Sequence, residues 1–334
     1  MTPGLRAGLV PARLLLLAAT LLVAGGAVAA PPKSARDWLL RMNEALLERT
    51  YDGEFLRLAQ GDVERFRILH RGAPEGLAER LVSLSGGGRE LVRNEASVYC
   101  YLTDQRRLLV ESHDTRGPLL GTLPAFNLEA MGENYAVVLL RGTTSLLGAP
   151  AQVVDVRPRD RHRFGYRLWL DSATYMPVRT DLYDADGHVL EQVLFVRLEF
   201  PHSIAPQQLR AAVDARGYTV ETVEHTLLRA PAALPWGNAD LPPGFRLVAA
   251  GEQVLPGGAS PARHLVLSDG LATVSVFVEG AATRPAREGQ GSVGIGYAMS
   301  VLVGGQRVTA IGEVPPETVR QVAAAVETAS QSVR

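Results

Sequence analysis

Alternating apolar and polar positions mark residues 161–171, RHRFGYRLWLD, as a β-strand with two different faces. One face is apolar and consists of Phe164, Tyr166, Leu168 and Leu170. The other face consists of Arg163, Gly165, Arg167 and Trp169. The pattern predicts that the first face belongs to a core, and it raises the question of what covers a tryptophan set between arginines.

Short apolar runs bounded by turn residues recur throughout residues 51–200. GEFLRLA and VERFRILH, separated by Gly61-Asp62, are typical of a hairpin. An amphipathic helix is predicted just before them, with Ser34 as its cap and Asp37 three residues further on. Because helices do not alternate with the strands, the series predicts a large antiparallel sheet or an open barrel rather than a parallel sheet.

A change of composition after Phe200 divides the chain. Residues 201–240 are rich in Pro and Ala and are predicted to be a linker with some local structure. A second series of strands follows, and the chain ends in a helix with Pro316 in its first turn. The predicted fold class is α+β: a large antiparallel domain at 31–200 and a smaller β-sheet domain with a terminal helix at 241–334.

Residues 1–30 are predicted to be a secretory signal peptide. Arg6 and Arg13 precede the apolar run LLLLAATLLVAGGAVA, which ends in small residues at an Ala-Val-Ala cleavage site. The alternative is a membrane anchor, but the apolar run is short for a span and Pro31-Pro32 follow it at once. A cleaved signal predicts that the mature protein is exported and soluble.

Charge and cysteine content narrow the classes of function. Cleavage removes two of the 34 basic residues and none of the 35 acidic ones, so the net charge changes from −1 to about −3. This balance does not suggest a nucleic-acid-binding protein. Cys100 is the only cysteine, so no intramolecular disulfide is possible, and the alternation in VYCYL favours a buried small apolar residue over a nucleophile.

No motif in the sequence predicts catalysis, a cofactor or a metal site. The seven histidines are scattered without zinc-ligand spacing, and a G-x-S-x-G nucleophile elbow is absent. GQGSVG matches the letters of a dinucleotide-binding motif, but the residues after it predict a strand where such a site needs a helix. DADG at 184–187 resembles part of a calcium loop, yet hairpin chemistry explains it better.

A local basic cluster precedes and enters the strand described first. It consists of Arg157, Arg159, Arg161, Arg163 and Arg167, and Asp160 is the only acidic residue among them. One interpretation is a solvated strand edge, where charge discourages aggregation. The other is a site for acidic head groups or an acidic peptide, to which arginine binds through two parallel hydrogen bonds.

A series of longer segments resembles a known family. The segments of the first domain are YDGEF, RILH, ERLVSLSG, VYCYLTD, RFGYRLWLD and EQVLF, together with Arg89-Glu90. Those of the second domain are LPPGF, SDGLATVSVFVE and GEVPPETV. In this order they resemble the large and small domains of MucB/RseB proteins and cover nearly all of the mature chain. LLGAP at 146–150 and SATYMP at 172–177 depart from the family pattern.

The resemblance implies a periplasmic negative regulator that controls an envelope-stress sigma factor. It implies binding to the periplasmic region of a membrane anti-sigma factor, protection of that region from regulated proteolysis, and release by lipid or lipopolysaccharide fragments. It also implies a LolA/LolB-like half-open barrel covered by helices. In that fold Phe164, Tyr166, Leu168 and Leu170 would line a lipid cavity. Arg161, Arg163, Arg167 and Trp169 would lie on the convex side, where they would contact the partner or a lipid head group. The alternative for Trp169 is that a neighbouring loop shields it.

A second function from another class remains open at this point. The same cavity would suit a periplasmic lipid or lipoprotein carrier, although carriers lack a domain like the one containing SDGLATVSVFVE. The sequence leaves open whether the chain forms homo-oligomers, and it predicts neither a cofactor nor an enzymatic activity.

Overall fold

Two β-sheets and three α-helices build the part of the chain that this computed structural model describes. The model describes residues 34–332 except 73–75, 87, 113–125, 224–227, 230–240, 256–260, 282–288 and 304. The predicted signal peptide lies outside the described residues. Within the described residues, no helix is long and apolar enough to cross a membrane.

The first sheet, called the large sheet, has twelve strands in the described ranges. In chain order they are β1 (Tyr51–Ala59), β2 (Asp62–Arg71), β3 (Ala78–Ser83), β4 (Arg89–Arg93), β5 (Ser97–Leu102), β6 (Arg107–Ser112), β7 (Tyr135–Leu146), β8 (Ala149–Pro158), β9 (Gly165–Asp171), β10 (Pro177–Tyr183), β11 (Val189–Glu199) and β12 (Thr219–Val223). Their spatial order is β12-β6-β5-β4-β3-β2-β1-β11-β10-β9-β8-β7. Every pair is antiparallel except β12–β6, which confirms the predicted large antiparallel sheet.

The hairpin between β1 and β2 differs slightly from the prediction. Gln60 and Gly61 both have positive φ angles, 54° and 88°, as a two-residue hairpin turn requires. Asp62, predicted to be in the turn, already pairs with Ala59 as the first residue of β2. The turn therefore lies one residue earlier than the Gly-Asp pair suggested.

Helix α1 (Ala35–Glu48) covers one face of the large sheet, which we call the inner face. The hydroxyl of Ser34 accepts a hydrogen bond from the Asp37 N–H (3.1 Å) and the Asp37 carboxylate accepts one from the Ser34 N–H (3.0 Å), so the predicted N-terminal cap is confirmed. The apolar side of α1 lies in one buried cluster with the inner-face side chains. That cluster includes Trp38, Leu39, Met42, Tyr51, Phe55, Ile68, Leu168 and Leu170.

The second sheet, called the small sheet, has seven strands in the described ranges. They are β13 (Leu228–Arg229), β14 (Arg246–Val254), β15 (Pro261–Ser268), β16 (Thr273–Ala281), β17 (Gly289–Val293), β18 (Gly296–Val303) and β19 (Gln306–Gly312). A short helix, α2 (Leu128–Met131), precedes β7. Helix α3 (Pro316–Ser332) contacts β18 and β19 and buries Val319 and Val322. The predicted small sheet domain with a terminal helix is confirmed. GQGSV forms β17, so the segment with the dinucleotide-motif letters is a strand–turn–strand.

The predicted linker, residues 201–240, contributes structure to both sheets. Its β12 pairs in parallel with β6, and Arg107 and Glu221 form an ion pair at 2.6 Å across that pairing. Its β13 joins the edge of the small sheet. Both sheets belong to one compact unit of the chain, Lys33–Arg334.

Candidate functional site

The apolar face predicted to line a lipid cavity is a packed core in the described structure. Leu168 and Leu170 are fully buried, and Phe164 is 5% exposed. Tyr166 is half-buried and meets the Phe126 ring edge-on, with 5.7 Å between the ring centroids. Tyr166, Leu168 and Leu170 lie on the inner face as the alternation predicts, but α1 and its neighbours cover Leu168 and Leu170. Phe164 is buried too, but it precedes β9, so strand alternation does not set its direction. The role of these four residues in lipid binding stays a prediction.

A more open apolar surface lies further along the inner face, across β3 to β6. Leu81 pairs with the inner-face residue Ile68, and from it the register runs to Leu91, then Cys100, then Leu109. All four members of this row, which we call the apolar row, are half-buried. Burial also raises the pKa of the Cys100 thiol, which therefore stays protonated at neutral pH. The sequence placed Cys100 on a strand face, but only the register joins it to leucines on three other strands.

Arg163 is the one site residue whose predicted environment is wrong. The alternation placed it on the wet face of the strand, whereas its side chain is fully buried. The physical reason is that β9 begins at Gly165, so Arg163 lies in the preceding loop and strand alternation does not govern its direction. Its guanidinium donates to Asp269 at 2.6 Å, to Asp160 at 3.0 Å and to the carbonyl of Pro243.

The partner of Arg163, Asp269, lies in the turn between β15 and β16 of the small sheet. Its Oδ1 accepts the N–H groups of Leu271 (2.9 Å) and Ala272 (2.8 Å), and its Oδ2 accepts the Tyr135 hydroxyl at 2.9 Å. Burial, together with the Asp269 charge, raises the pKa of the Tyr135 phenol, so this hydroxyl keeps its proton and acts as a donor. We call Tyr135, Asp160, Arg163 and Asp269 the interdomain junction.

Apolar and backbone contacts complete the interdomain junction. The Arg163 guanidinium lies over the rings of Tyr135 (5.4 Å) and Phe245 (5.3 Å). Leu271 belongs to the buried cluster of the large sheet, and the carbonyl of Gly270 accepts the N–H of Asn127. RFGYRLWLD, LPPGF and SDGLATVSVFVE, three segments that carry the family resemblance, thus meet in one place.

Arg161, Arg167 and Trp169 lie where a partner could reach at least part of each side chain. Arg161 is exposed and pairs with Asp186 at 3.2 Å. Arg167 lies over the Tyr183 ring at 5.5 Å and 3.6 Å from Asp155. Trp169 is half-buried because Arg179 of the neighbouring strand β10 lies over its indole at 4.2 Å.

Carboxylates neutralise most of the predicted basic cluster. Arg157 and Arg167 share Asp155, at 2.5 Å and 3.6 Å, and Arg161 and Arg163 have the partners given above. These pairs argue against an open anion site. The strand-edge interpretation does not hold either, because β8 and β9 lie inside the large sheet and β7 forms its edge. A partner contact through Arg161, Arg167 or Trp169 stays a prediction.

One group of side chains in the described residues has metal-ligand spacing. Asp184, Asp186 and His188 lie close together in the exposed hairpin between β10 and β11. The Asp184 Oδ1 accepts the N–H groups of Asp186 and His188 at 2.9 Å each, so hairpin formation accounts for the arrangement.

Comparison with known proteins decides the family. The MucB/RseB N-terminal domain family matches residues 34–213, and the MucB/RseB C-terminal domain family matches residues 230–327. This chain belongs to the MucB/RseB family. The family resemblance noted from the segments is therefore confirmed, and it spans both sheets.

Relatives within the MucB/RseB family are regulatory proteins. The chain is 31% identical over 303 residues to the sigma factor AlgU regulatory protein MucB of Pseudomonas aeruginosa PAO1, a match that covers 89% of this chain and 92% of that one. It is 26% identical over 290 residues to the sigma-E factor regulatory protein RseB of Escherichia coli K12, covering 85% and 88%. The family is one of sigma-factor regulators, which agrees with the absence of a predicted catalytic motif.

A solved structure extends the similarity to the whole fold. The complex of Pseudomonas aeruginosa MucA and MucB matches with a TM-score of 0.67 and 29% identity, covering 86% of this chain and 96% of that chain. A crystal structure of MucB with MucA(peri) matches with a TM-score of 0.65 over a similar range. MucB therefore shares the two-sheet arrangement described above and has been seen bound to MucA.

Proposed function

We propose that this protein is a periplasmic negative regulator that binds the periplasmic region of a MucA-like membrane anti-sigma factor and protects it from regulated proteolysis. One observation carries the proposal: the match to MucB in its complex with MucA covers 86% of this chain, including both sheets. The predicted signal peptide supports the periplasmic location. A binding protein protects a peptide when the bound state is one that the protease does not cleave.

The interdomain junction supports a binding surface that extends over both sheets. A buried ion pair, a buried tyrosine hydroxyl and Leu271 hold the β15–β16 turn against the large sheet. Groups held this way lose little additional freedom when a partner binds, because their arrangement is already fixed. A partner that contacts both sheets would therefore meet a preformed surface.

In this proposal, a lipid that binds at the inner face of the large sheet releases the partner. The apolar row, Leu81, Leu91, Cys100 and Leu109, is half-buried and apolar on four consecutive strands, which suits an acyl chain. A lipid releases a partner only if it binds the unbound conformation more tightly. A ~100-fold loss of partner affinity needs a coupling free energy of roughly 2.7 kcal/mol.

The test mixes the cognate anti-sigma factor's periplasmic segment with its initiating protease. Adding the mature protein should slow cleavage, and adding lipopolysaccharide fragments as well should restore it. Cleavage at the same rate with and without saturating protein would defeat the regulator proposal. If lipid binding persisted in that case, the lipid-carrier hypothesis would take its place.

A pair of adjacent substitutions tests the location of the lipid. Leu109 and Leu108 are neighbours on β6, both half-buried, and point to opposite faces because Leu109 pairs with Cys100 and Leu108 with Tyr101. Leu109→Asp should abolish lipid-dependent release while protection continues, and Leu108→Asp should leave release intact. The opposite outcome would place the lipid on the other face.

A further inference from the structure

A segment after β11 crosses the outer face of the large sheet, opposite α1. We call residues 204–211 the strap. Its Ile204 and Leu209 are 5% and 6% exposed and form a separate buried cluster with Leu69 and Ala78. Leu69 and Ala78 face outward, because Leu69 lies between the inner-face residues Ile68 and His70, and Ala78 pairs with Arg71.

A partly buried ion pair, Arg80–Glu90, fixes the strap to the sheet. Glu90 is 3% exposed, and its Oε1 accepts the Arg80 Nε at 2.6 Å and the Ala212 N–H at 3.0 Å. Arg80 also donates to the carbonyl of Gln208 at 3.1 Å. These bonds hold the strap at Gln208 and the residue just after it, Ala212, and they add to the packing of Ile204 and Leu209 against the sheet.

A cavity of about 300 Å³ lies between the strap and the sheet. Its floor is formed by outward-facing side chains of β3 to β5, and its cover by the strap. The apolar and aromatic lining consists of Ala78, Val92, Tyr99, Tyr101, Pro206, Leu209 and Ala211. Its volume is at the lower end of the range for small-molecule sites, and aromatic lining with a few polar groups is typical of them.

The charged lining of this cavity is entirely cationic. Arg71, Arg93 and Arg210 line it, and no carboxylate does. Arg93 is buried and bonded to Glu79 at 3.1 Å. Arg71 donates its Nε to the Gly76 carbonyl at 3.0 Å, which orients its guanidinium, and Arg210 is exposed. This leaves Arg71 and Arg210 as the two lining arginines for a ligand to contact.

We propose that this cavity binds a small anionic amphiphile. One short apolar or aromatic body would lie between Tyr99, Tyr101 and the strap, and a single carboxylate, sulfate or phosphate group would contact Arg71 and Arg210. Guanidinium groups bind such oxyanions through charge-assisted hydrogen bonds. This site lies on the face opposite the apolar row, so it goes beyond the proposed function and does not depend on it.

The charge requirement is tested by calorimetric titration of the mature full chain. The probes are dodecanoate and a neutral twelve-carbon maltoside, both below their micelle concentrations. Arg71→Gln/Arg210→Gln should weaken dodecanoate binding roughly tenfold, since each is a partly exposed ionic contact, and should leave the maltoside unchanged. Arg216→Gln, an exposed arginine just beyond the strap that does not line the cavity, is the matched control. Equal affinity of the wild-type protein for both probes would overturn the proposal.

The position of the site is tested by adjacent residues of β4. Val92 faces the cavity and Leu91 belongs to the apolar row on the other face. With folding checked by circular dichroism, Val92→Trp should remove the part of dodecanoate binding that depends on Arg71 and Arg210, because it fills the cavity. Leu91→Trp should preserve that part, whatever additional dodecanoate binds at the apolar row. Loss of binding with Leu91→Trp alone would overturn the proposal. Replacing dodecanoate by a twelve-carbon lysophosphatidylglycerol then distinguishes a free fatty acid from a phospholipid-derived ligand.

Discussion

Removing one charge from the interdomain junction should strongly destabilise the fold. The perturbation is Asp269→Asn, which keeps an Oδ1 acceptor for the N–H groups of Leu271 and Ala272 but removes the negative charge 2.6 Å from Arg163. Both side chains of the ion pair are fully buried, so water does not replace the lost partner. Arg163 would then be a buried cation with only Asp160 as a charged partner.

The expected loss in the free energy of unfolding is about 3 kcal/mol. Breaking a buried ion pair by removing one partner typically costs roughly 3–5 kcal/mol, and the lower end applies because Asp160 still accepts from Arg163 at 3.0 Å. The assay is urea denaturation followed by circular dichroism and tryptophan fluorescence. Arg161→Met, which breaks an exposed pair with Asp186, is the control and should change stability by less than about 0.5 kcal/mol.

A double variant measures the interaction energy between Arg163 and Asp269 separately from the other contacts of each side chain. Arg163→Met/Asp269→Asn removes both charges, so its loss should be smaller than the sum of the two single losses by at least about 1 kcal/mol. Strict additivity, or a loss below about 0.5 kcal/mol for Asp269→Asn alone, would refute the conclusion that this pair holds the two sheets together.

Three further predictions concern backbone, pH and chain cleavage. Gly270→Ala should lower the free energy of unfolding by about 1–3 kcal/mol, because Gly270 has a φ of +99° and an added Cβ would lie 2.5 Å from the backbone of α2 (Leu128–Met131). Burial, and then the charge of Glu191, raise the pKa of Glu313 in the folded protein. The stability that Glu313 contributes is therefore present at low pH and is lost as the pH rises through that pKa. At pH values above that pKa, Glu313→Gln should increase the free energy of unfolding. Limited proteolysis should cut first within 230–240, which contains Pro231, Pro235 and Gly237, because β12 and β13 before it are paired in the two sheets.

Each of these predictions has its own check. Gly280→Ala, where an added Cβ meets nothing within 4 Å, should be close to neutral, and equal losses at Gly270 and Gly280 would contradict the packing explanation. For Glu313→Gln, urea midpoints measured upward from pH 4, below the ordinary carboxyl pKa of 4.5, should diverge from wild type as pH rises, and curves that stay parallel throughout would count against it. First proteolytic cuts inside residues 160–200 would show that the predicted domain division is wrong.

The sequence by itself determined most of the strands, the buried faces of several of them and the family. Alternation placed Leu168 and Leu170 on a buried face correctly, because neighbouring side chains of one strand point in fixed opposite directions whatever the strand packs against. The N-terminal cap of α1 could also be predicted from the sequence, because Ser34 and Asp37 are only three residues apart. Ordered segments such as RFGYRLWLD and SDGLATVSVFVE were specific enough to indicate MucB/RseB before any geometry was known.

Only the tertiary structure decided which of those residues are accessible and which of them meet. Arg163 and Asp269 are 106 residues apart, and no local pattern signals that a loop arginine will be buried against a turn of another sheet. The apolar row depends on the register of four strands, and the cavity under the strap depends on where residues 204–211 cross the outer face. Local periodicity fixes the direction of a side chain, but burial and ion pairing depend on neighbours brought close by long-range folding, which the spacing along the chain does not encode.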